Sequence, residues 1–596
     1  MNVEQYYLSL RQQYRSKGEG ETFPIRMDEL VETLKCTRRN AQLLLKKMVD
    51  IEYVNWIPGK GRGNTSVLTF LMPLSDVVLK RAKQLTLDEK LEEAWKLIHQ
   101  FQRVKFEFTE WLYHHFGFQT EQEEDVLRFP FYRPVLDLDP TFVNRRTEAH
   151  LIEQIFNTLV IFDSNSNTIM PSLAHFWECN NDFTEWTVYL RKGVRFHHGK
   201  RMTAEDVAFT FFRILHESSY EEIKKTLKIV EIVNTYTVKF TLTETNVLFL
   251  NYLCSEKCSI LPSNLHEIHG FQVHPIGTGP FQMKKNNESI LHLEANDYYF
   301  EGRPHLDAIE MWIWPTFEQL KVVEMLEKKD IYFGEDQVLN VEHTKIQHIE
   351  QGASFLTINS KKSGPTKDVE FRKAVHYALD REKMIKDLAG NRTTPACSLF
   401  PEYSEKHFMN EYNSEVAHHY LQKSSYNGEL LELYTYEMES NIVNAHWIQK
   451  ELNQIGVKVK VTILPIKELA RKEIIDKIDM IFTGEVLGVQ PDISLIETLT
   501  YRNGYIHNHV SEVHIHVINQ AINRCKKESS FTKRMDHLMN LEKQLRKSYS
   551  LIFLYHTRHT LQHSQAMSGI MLNAWGKVDY KNVWVKGYIN KPLTIG

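Results

Sequence analysis

The sequence predicts a multidomain chain of mixed class, an α+β head followed by an α/β body, on three observations. Its 596 residues exceed the roughly 250–300 at which a single hydrophobic core stops growing. Residues 1–72 hold 11 basic against 8 acidic side chains while the whole chain stands at −4, so head and body differ in charge. Apolar residues recur with a helical period through the head, and short strands alternate with helices from about residue 127 onward.

With 42% hydrophobic and 25% charged residues, the composition excludes a disordered or fibrous chain. No apolar run reaches the roughly 20 residues needed to span a bilayer. Met1 to Tyr7 carries neither the basic nor the apolar part of a secretory leader, and six scattered cysteines fit reduced thiols. The expectation is a cytoplasmic chain without membrane insertion, cofactor or metal.

In the head, Val3, Tyr7, Leu10 and Tyr14 mark a first helix, Met27, Leu30, Val31 and Leu34 a second, and Ala41, Leu44, Leu45 and Met48 a third. Thr37 caps the third, whose outward face then holds Arg39, Asn40, Gln42, Leu43, Lys46 and Lys47, with Arg38 on its shoulder. Asn and Gln bond adenine edges, Arg bonds guanine and Lys neutralises phosphate, the side chains of a helix that reads a major groove. Two strand-like runs follow, Val54 to Ile57 and Ser66 to Leu71, joined by a glycine-rich tip holding Lys60, Arg62 and Asn64. Three helices and a basic hairpin make a winged helix-turn-helix over residues 1–72, with double-stranded DNA as the expected partner. The alternative is a module that binds protein. Residues 73–126 are expected to be a helical connector without strands, built on Val77 to Lys83 and Lys90 to Gln102 and ended by the polar break Thr120 to Asp125.

The body's most informative stretch is Trp186 to Val207, an alternating strand, a glycine turn, a short strand and a helix capped by Thr203 with Asp206 three residues on. It resembles the signature of the family 5 extracytoplasmic solute-binding proteins, and His274 to Phe281, Leu356 to Asn359 and Val369 to Arg381 resemble further segments of that family in the same order. The resemblance covers residues 127–596 and implies a two-lobe, periplasmic-binding-protein-like (type II) fold that closes on a ligand, with the second lobe at about 355–555. Together with the head, the wing sequence and Tyr132-Arg133-Pro134, it is similar to the SgrR-type transcriptional regulators. That resemblance implies a one-component regulator sensing a small-molecule solute, a sugar phosphate or another metabolite; the alternative is a cytosolic solute- or peptide-binding protein. Thr357 to Asn359 is expected at the lobe crossing, and Tyr132, Arg133, Thr278 and Asn359 are expected to meet the ligand. Gly488 stands where peptide receptors of the family place an aspartate for the peptide amine, with Asp492 or Glu485 as substitutes.

No Gly-x-Ser-x-Gly or His-Glu-x-x-His occurs, so neither a hydrolase elbow nor a zinc-protease helix is present, and the chain is not expected to be an enzyme. His507, His509, His514 and His516 form two His-x-His pairs without companion ligands of convincing spacing. His197-His198 reads as a surface pair.

Overall fold

The computed structural model describes residues 3–59, 65–113, 115–121, 124–143, 145–164, 166–218, 220–314, 331–334, 343–564 and 567–586. The head contains the three expected helices, α1 (Val3–Gln13), α2 (Met27–Thr33) and α3 (Arg38–Asp50). Thr37 Oγ1 accepts from the Asn40 amide at 3.4 Å, which satisfies one of the free donors at the start of α3. The hairpin forms from β2 (Val54–Ile57) and β3 (Ser66–Phe70), and a strand missed in the sequence, β1 (Thr22–Ile25), pairs with the other edge of β3. Its brevity and its Pro24 hide it; Phe23 and Ile25 point into the core. Lys60, Arg62 and Asn64 lie outside the described residues.

The connector folds as α4 (Leu74–Leu87), α5 (Leu91–Ile98) and α6 (Gln102–Tyr113). The expectation that residues 73–126 lack strands is overturned by β4 (Gly117–Glu121), which pairs antiparallel with β5 (Glu124–Phe131). Of the polar residues read as a break, Thr120 and Glu121 end β4 and pair with Asp125 and Glu124 at the start of β5. Nor does the head end at 72, because Val77 of α4 is buried in the head core, Tyr7 donates to the Met72 carbonyl at 2.5 Å, and Lys80 reaches Glu4 and the Tyr53 hydroxyl. The neighbouring face of α4, through Val78, Ala82 and Leu85, packs in a second core with Phe108, Leu112 and the body residue Trp314.

The first lobe holds a sheet ordered β12–β13–β14–β5–β4, in which β12 (Phe281–Asn286), β13 (Ile290–Ala295) and β14 (Ala308–Ile313) carry the β4–β5 hairpin that follows the connector helices at one edge. A second sheet of this lobe, from β8 (Ala174–Cys179), β9 (Glu185–Leu190), β10 (Leu227–Asn234) and β11 (Thr237–Leu242), follows a small hairpin of β6 (Val160–Asp163) and β7 (Thr168–Pro171). Two helices matter below: α7 (Arg146–Ile155) and α8 (Ala204–Glu217), which opens with the expected Thr203–Asp206 capping box. In the second lobe, β17 (Gly352–Ile358) lies between β21 (Met480–Val486) and the first half of β22 (Leu551–Ser564), with β19 (Leu431–Tyr436) and β20 (Val459–Leu464) beyond β21.

The lobe crossing is not at Thr357 to Asn359. That segment ends β17 inside the second-lobe sheet, with Thr357 and Asn359 each 1% exposed. The chain crosses instead at Glu350 and along β22. The second half of β22 pairs with β16 (His343–Ile349), after which Met567, Val578, Tyr580 and Val583 return to the first-lobe core. Glu350 marks the crossing, its amide donating to the Thr557 carbonyl at 3.0 Å. Among the described residues, no helix is long and apolar enough to cross a membrane.

Candidate functional site

On α3, Ala41, Leu44, Leu45 and Met48 are buried, and Arg38, Arg39, Asn40, Gln42, Lys46 and Lys47 are all exposed. None of the four cations forms an ion pair with another described residue. Charge left unpaired on one helix face attracts a polyanion over a Debye length and releases counterions on contact.

The second site lies between the lobes and differs from the expected one. Thr278 is 1% exposed and donates to Asn157 Oδ1 at 3.0 Å. The glycines beside it press on the end of α7: a Cβ on Gly277 would stand 2.0 Å from the Ile155 carbonyl oxygen, and one on Gly279 2.5 Å from its carbon. His197 clamps the same loop, accepting from the Gly277 amide at 3.2 Å and reaching the Gly279 carbonyl at 3.1 Å, so it is half-buried and engaged, whereas His198 beside it is exposed. Asn359 donates to the Asp476 and Ile478 carbonyls and accepts from the Lys361 and Lys362 amides, leaving its amide no capacity for a solute. Arg133 is held in a bidentate pair with Glu148 at 2.9 and 3.0 Å and donates to the Tyr132 hydroxyl at 3.1 Å. Burial opposes its charge, and the Glu148 carboxylate outweighs burial and raises its pKa. These residues build the walls of the site.

Its interior is lined by other groups. Arg146 and Glu153 on α7 are exposed to water, and Lys577, Glu485 on β21 and Tyr436 on β19 are partly so, yet protein surrounds them closely enough to perturb their titration. Enclosure pushes the Glu153 carboxyl well above its usual range, with Glu256 and Asp579 adding to the effect. Enclosure also raises Glu485, against the pull of Arg146 and Lys257. It lowers the Lys577 ammonium to about 8, with Arg146 acting in the same direction. Accessible to water yet close enough to act on one another's titration, Arg146, Glu485 and Lys577, with Glu153 beside them, mark where the two lobes face each other as a candidate interlobe chamber.

Arg146 binds Glu350 at 2.7 Å, and His559 on β22 approaches the same carboxylate at 3.0 Å. Burial would raise Glu350, but Arg146 and then His559 overcome it and hold it at about 2. The crossing point is therefore anionic and tied to α7. Across the rim the lobes join through Lys257–Glu497 at 3.1 Å, Arg502–Glu221 at 3.0 Å and Asn251 donating to Gln490 at 2.6 Å.

Of the two substitutes for the amine anchor, Asp492 is consumed in a buried pair with Arg534 at 2.8 Å, whereas Glu485 has no ion pair with another described residue and faces the chamber's cations. A cavity of about 420 Å³ opens elsewhere, between the β6–β7 hairpin and the helix Phe531–Lys547, lined by Phe162, Phe183, Phe531 and the Asp492–Arg534 pair; none of the chamber's titrating groups lines it. The histidine pairs do not converge. His507 bonds the Leu499 carbonyl, His509 the Ile475 carbonyl, His514 Ser511 and His516 Gln520.

A family model described as bacterial extracellular solute-binding proteins, family 5, middle, matches residues 168–505, more than half of the chain. The chain belongs to that family. A second model, described as the N-terminal part of a sugar transport-related sRNA regulator, matches residues 2–123, a span that takes in the head, the connector and β4 and stops before β5. The uncharacterized protein YhjP of Bacillus subtilis (strain 168) is 32% identical over 582 residues, 95% of this chain and 96% of its own. The HTH-type transcriptional regulator SgrR of Photorhabdus laumondii is 25% identical over 595 residues, 98% of this chain and 99% of its own. Among solved structures, the oligopeptide-binding protein AppA of Bacillus subtilis in complex with a nonapeptide superimposes with a TM-score of 0.65 at 21% identity, over 78% of this chain and 99% of that one. That likeness establishes the two-lobe fold shared across the family.

Proposed function

We propose that this chain is a one-component transcriptional regulator that binds duplex DNA through α3 and its wing and senses a small solute in the interlobe chamber. The carrying observation is the coexistence in one chain of an unpaired, exposed cationic helix face and an enclosed, charged cleft of the solute-binding family. The likeness of the whole chain to a regulator, head included, supports the same reading. The DNA contacts are Arg38, Arg39, Asn40, Gln42, Lys46 and Lys47, joined by Lys60, Arg62 and Asn64 of the wing tip.

The ligand is a solute of mixed polarity, a phosphorylated sugar being one such compound. Its anion meets Lys577 and Arg146, and its hydroxyl or amine donors meet Glu485 and Glu153. Tyr132 and Arg133 shape the wall beside them. Ligand and operator are thermodynamically coupled, each altering the affinity of the other by the same factor. The test is footprinting of the full-length protein on genomic DNA, with and without a metabolite extract, followed by calorimetry with candidate solutes. Discrete footprints whose occupancy changes with extract are expected; the absence of any footprint would refute DNA binding, and footprints indifferent to every solute that the protein binds would refute sensing.

A further inference from the structure

This inference rests on the DNA-binding reading above. In the middle of the polar face of α3 stands a leucine. Leu43 is 52% exposed, and the core stripe of Ala41, Leu44, Leu45 and Met48 turns it away from the head's interior. It lies one helical turn from Arg39 and Asn40 on one side and from Lys46 and Lys47 on the other, all exposed. Every neighbour on that face is suited to a phosphate or to a polar base edge. The major groove offers one apolar feature, the thymine 5-methyl group.

We propose that Leu43 is a specificity-determining residue that packs against a thymine methyl in the bound duplex. Charge complementarity commits the face to DNA. A second copy of the chain docking on Leu43 would bring Arg39, Lys46 and Lys47 against like charges, an arrangement that disfavours association. Because Leu43 is outside the core, Leu43→Ala should leave the head folded.

The experiment enriches binding sites from random duplex with the full-length protein, then replaces each thymine of the enriched site with deoxyuridine, which removes the methyl alone. One such replacement is expected to weaken wild-type binding about fourfold, the equivalent of ~0.8 kcal/mol for one buried carbon group. Leu43→Ala is expected to bind the thymine and deoxyuridine duplexes equally. Wild-type affinity unchanged by deoxyuridine at every position overturns the proposal and leaves DNA binding intact, whereas no enrichment at all overturns the DNA-binding reading and this proposal with it. Loss of a self-associated species in Leu43→Ala by sedimentation, with the deoxyuridine effect retained, would reassign Leu43 to a contact between copies and overturn it too.

Discussion

The recognition helix and the interlobe chamber use charge on opposite plans. Arg38, Arg39, Lys46 and Lys47 come from ten consecutive residues and stand in water without ion partners among the described residues. The chamber gathers Arg146, Glu153, Glu350, Glu485 and Lys577 from more than four hundred residues of sequence, walls them in and shifts their titration. A surface that attracts a long polyanion needs charges of one sign, kept hydrated so that little is lost when they are unoccupied. A chamber that selects a small solute needs both signs at close quarters, where each group's protonation depends on its neighbours. Lysine therefore serves as an exposed charge on α3 at position 46 and as a titrating group at position 577.

The comparison breaks first if charges in the body are as dispensable as those of the head. Asp492→Ala leaves Arg534 buried without its carboxylate and should destabilise the body by about 3 kcal/mol, read as a lower melting temperature by circular dichroism; an unchanged melt would mean that the pair does not hold the second lobe. Next in size, replacing Arg39, Lys46 and Lys47 together with alanine should flatten the dependence of log K on log salt by about 2–3 without moving the melt. A slope equal to wild type would place the DNA face elsewhere. Asn40→Ala and Gln42→Ala sharpen the same side of the comparison. Each should lose about 1 kcal/mol of base discrimination at constant salt slope, measured as the affinity ratio for enriched and scrambled duplexes.

The smallest effect tests the chamber. The Lys577 ammonium gives up its proton at about 8 in the folded chain, against an ordinary value of 10.5. An anionic solute should therefore bind several-fold more weakly as pH rises above about 8, and its binding below that range should draw Lys577 toward full protonation. Between the two values the unfolded chain holds the proton that the folded chain has lost, so the unliganded body gains stability as pH rises through that window. Lys577→Met should abolish both dependences. Calorimetry in buffers of different ionisation enthalpy reads the proton uptake, and equal heats would remove Lys577 from the binding step.

The two regions were also unequally legible in the sequence. The head's helices announce themselves through a 3.6-residue apolar stripe that stays within one segment, and its exposed face follows by subtraction. β1 escaped because four residues with a proline carry little strand signal, and β4 because its hairpin is polar and acidic. The capping box at Thr203 was readable because it is local. The chamber was not, since nothing in the sequence ties Arg146 to Glu350, 204 residues further on, or to Glu485 before the lobes fold together. One signal was present: on β21 Glu485 follows the buried run Met480 to Thr483, one residue beyond Gly484, and a carboxylate in such a strand asks for a reason. Asn359 and Thr278 stand in motifs yet bond within the protein, Asn359 to backbone groups and Thr278 to the Asn157 side chain.

Helix α4 gives the molecule its mechanics. With Val77 locked in the head core and Val78, Ala82 and Leu85 in the connector core, it is a strut rather than a tether, and its 14 residues make it about 21 Å long. A flexible linker would let the head find DNA whatever the lobes did, and would convey solute binding only as a change in local concentration. A strut conveys angle. A tilt of about 10° at its base would carry its far end about 4 Å, close to the roughly 3.4 Å rise of one nucleotide along a strand, so a modest change in lobe closure would move α3 by a base step.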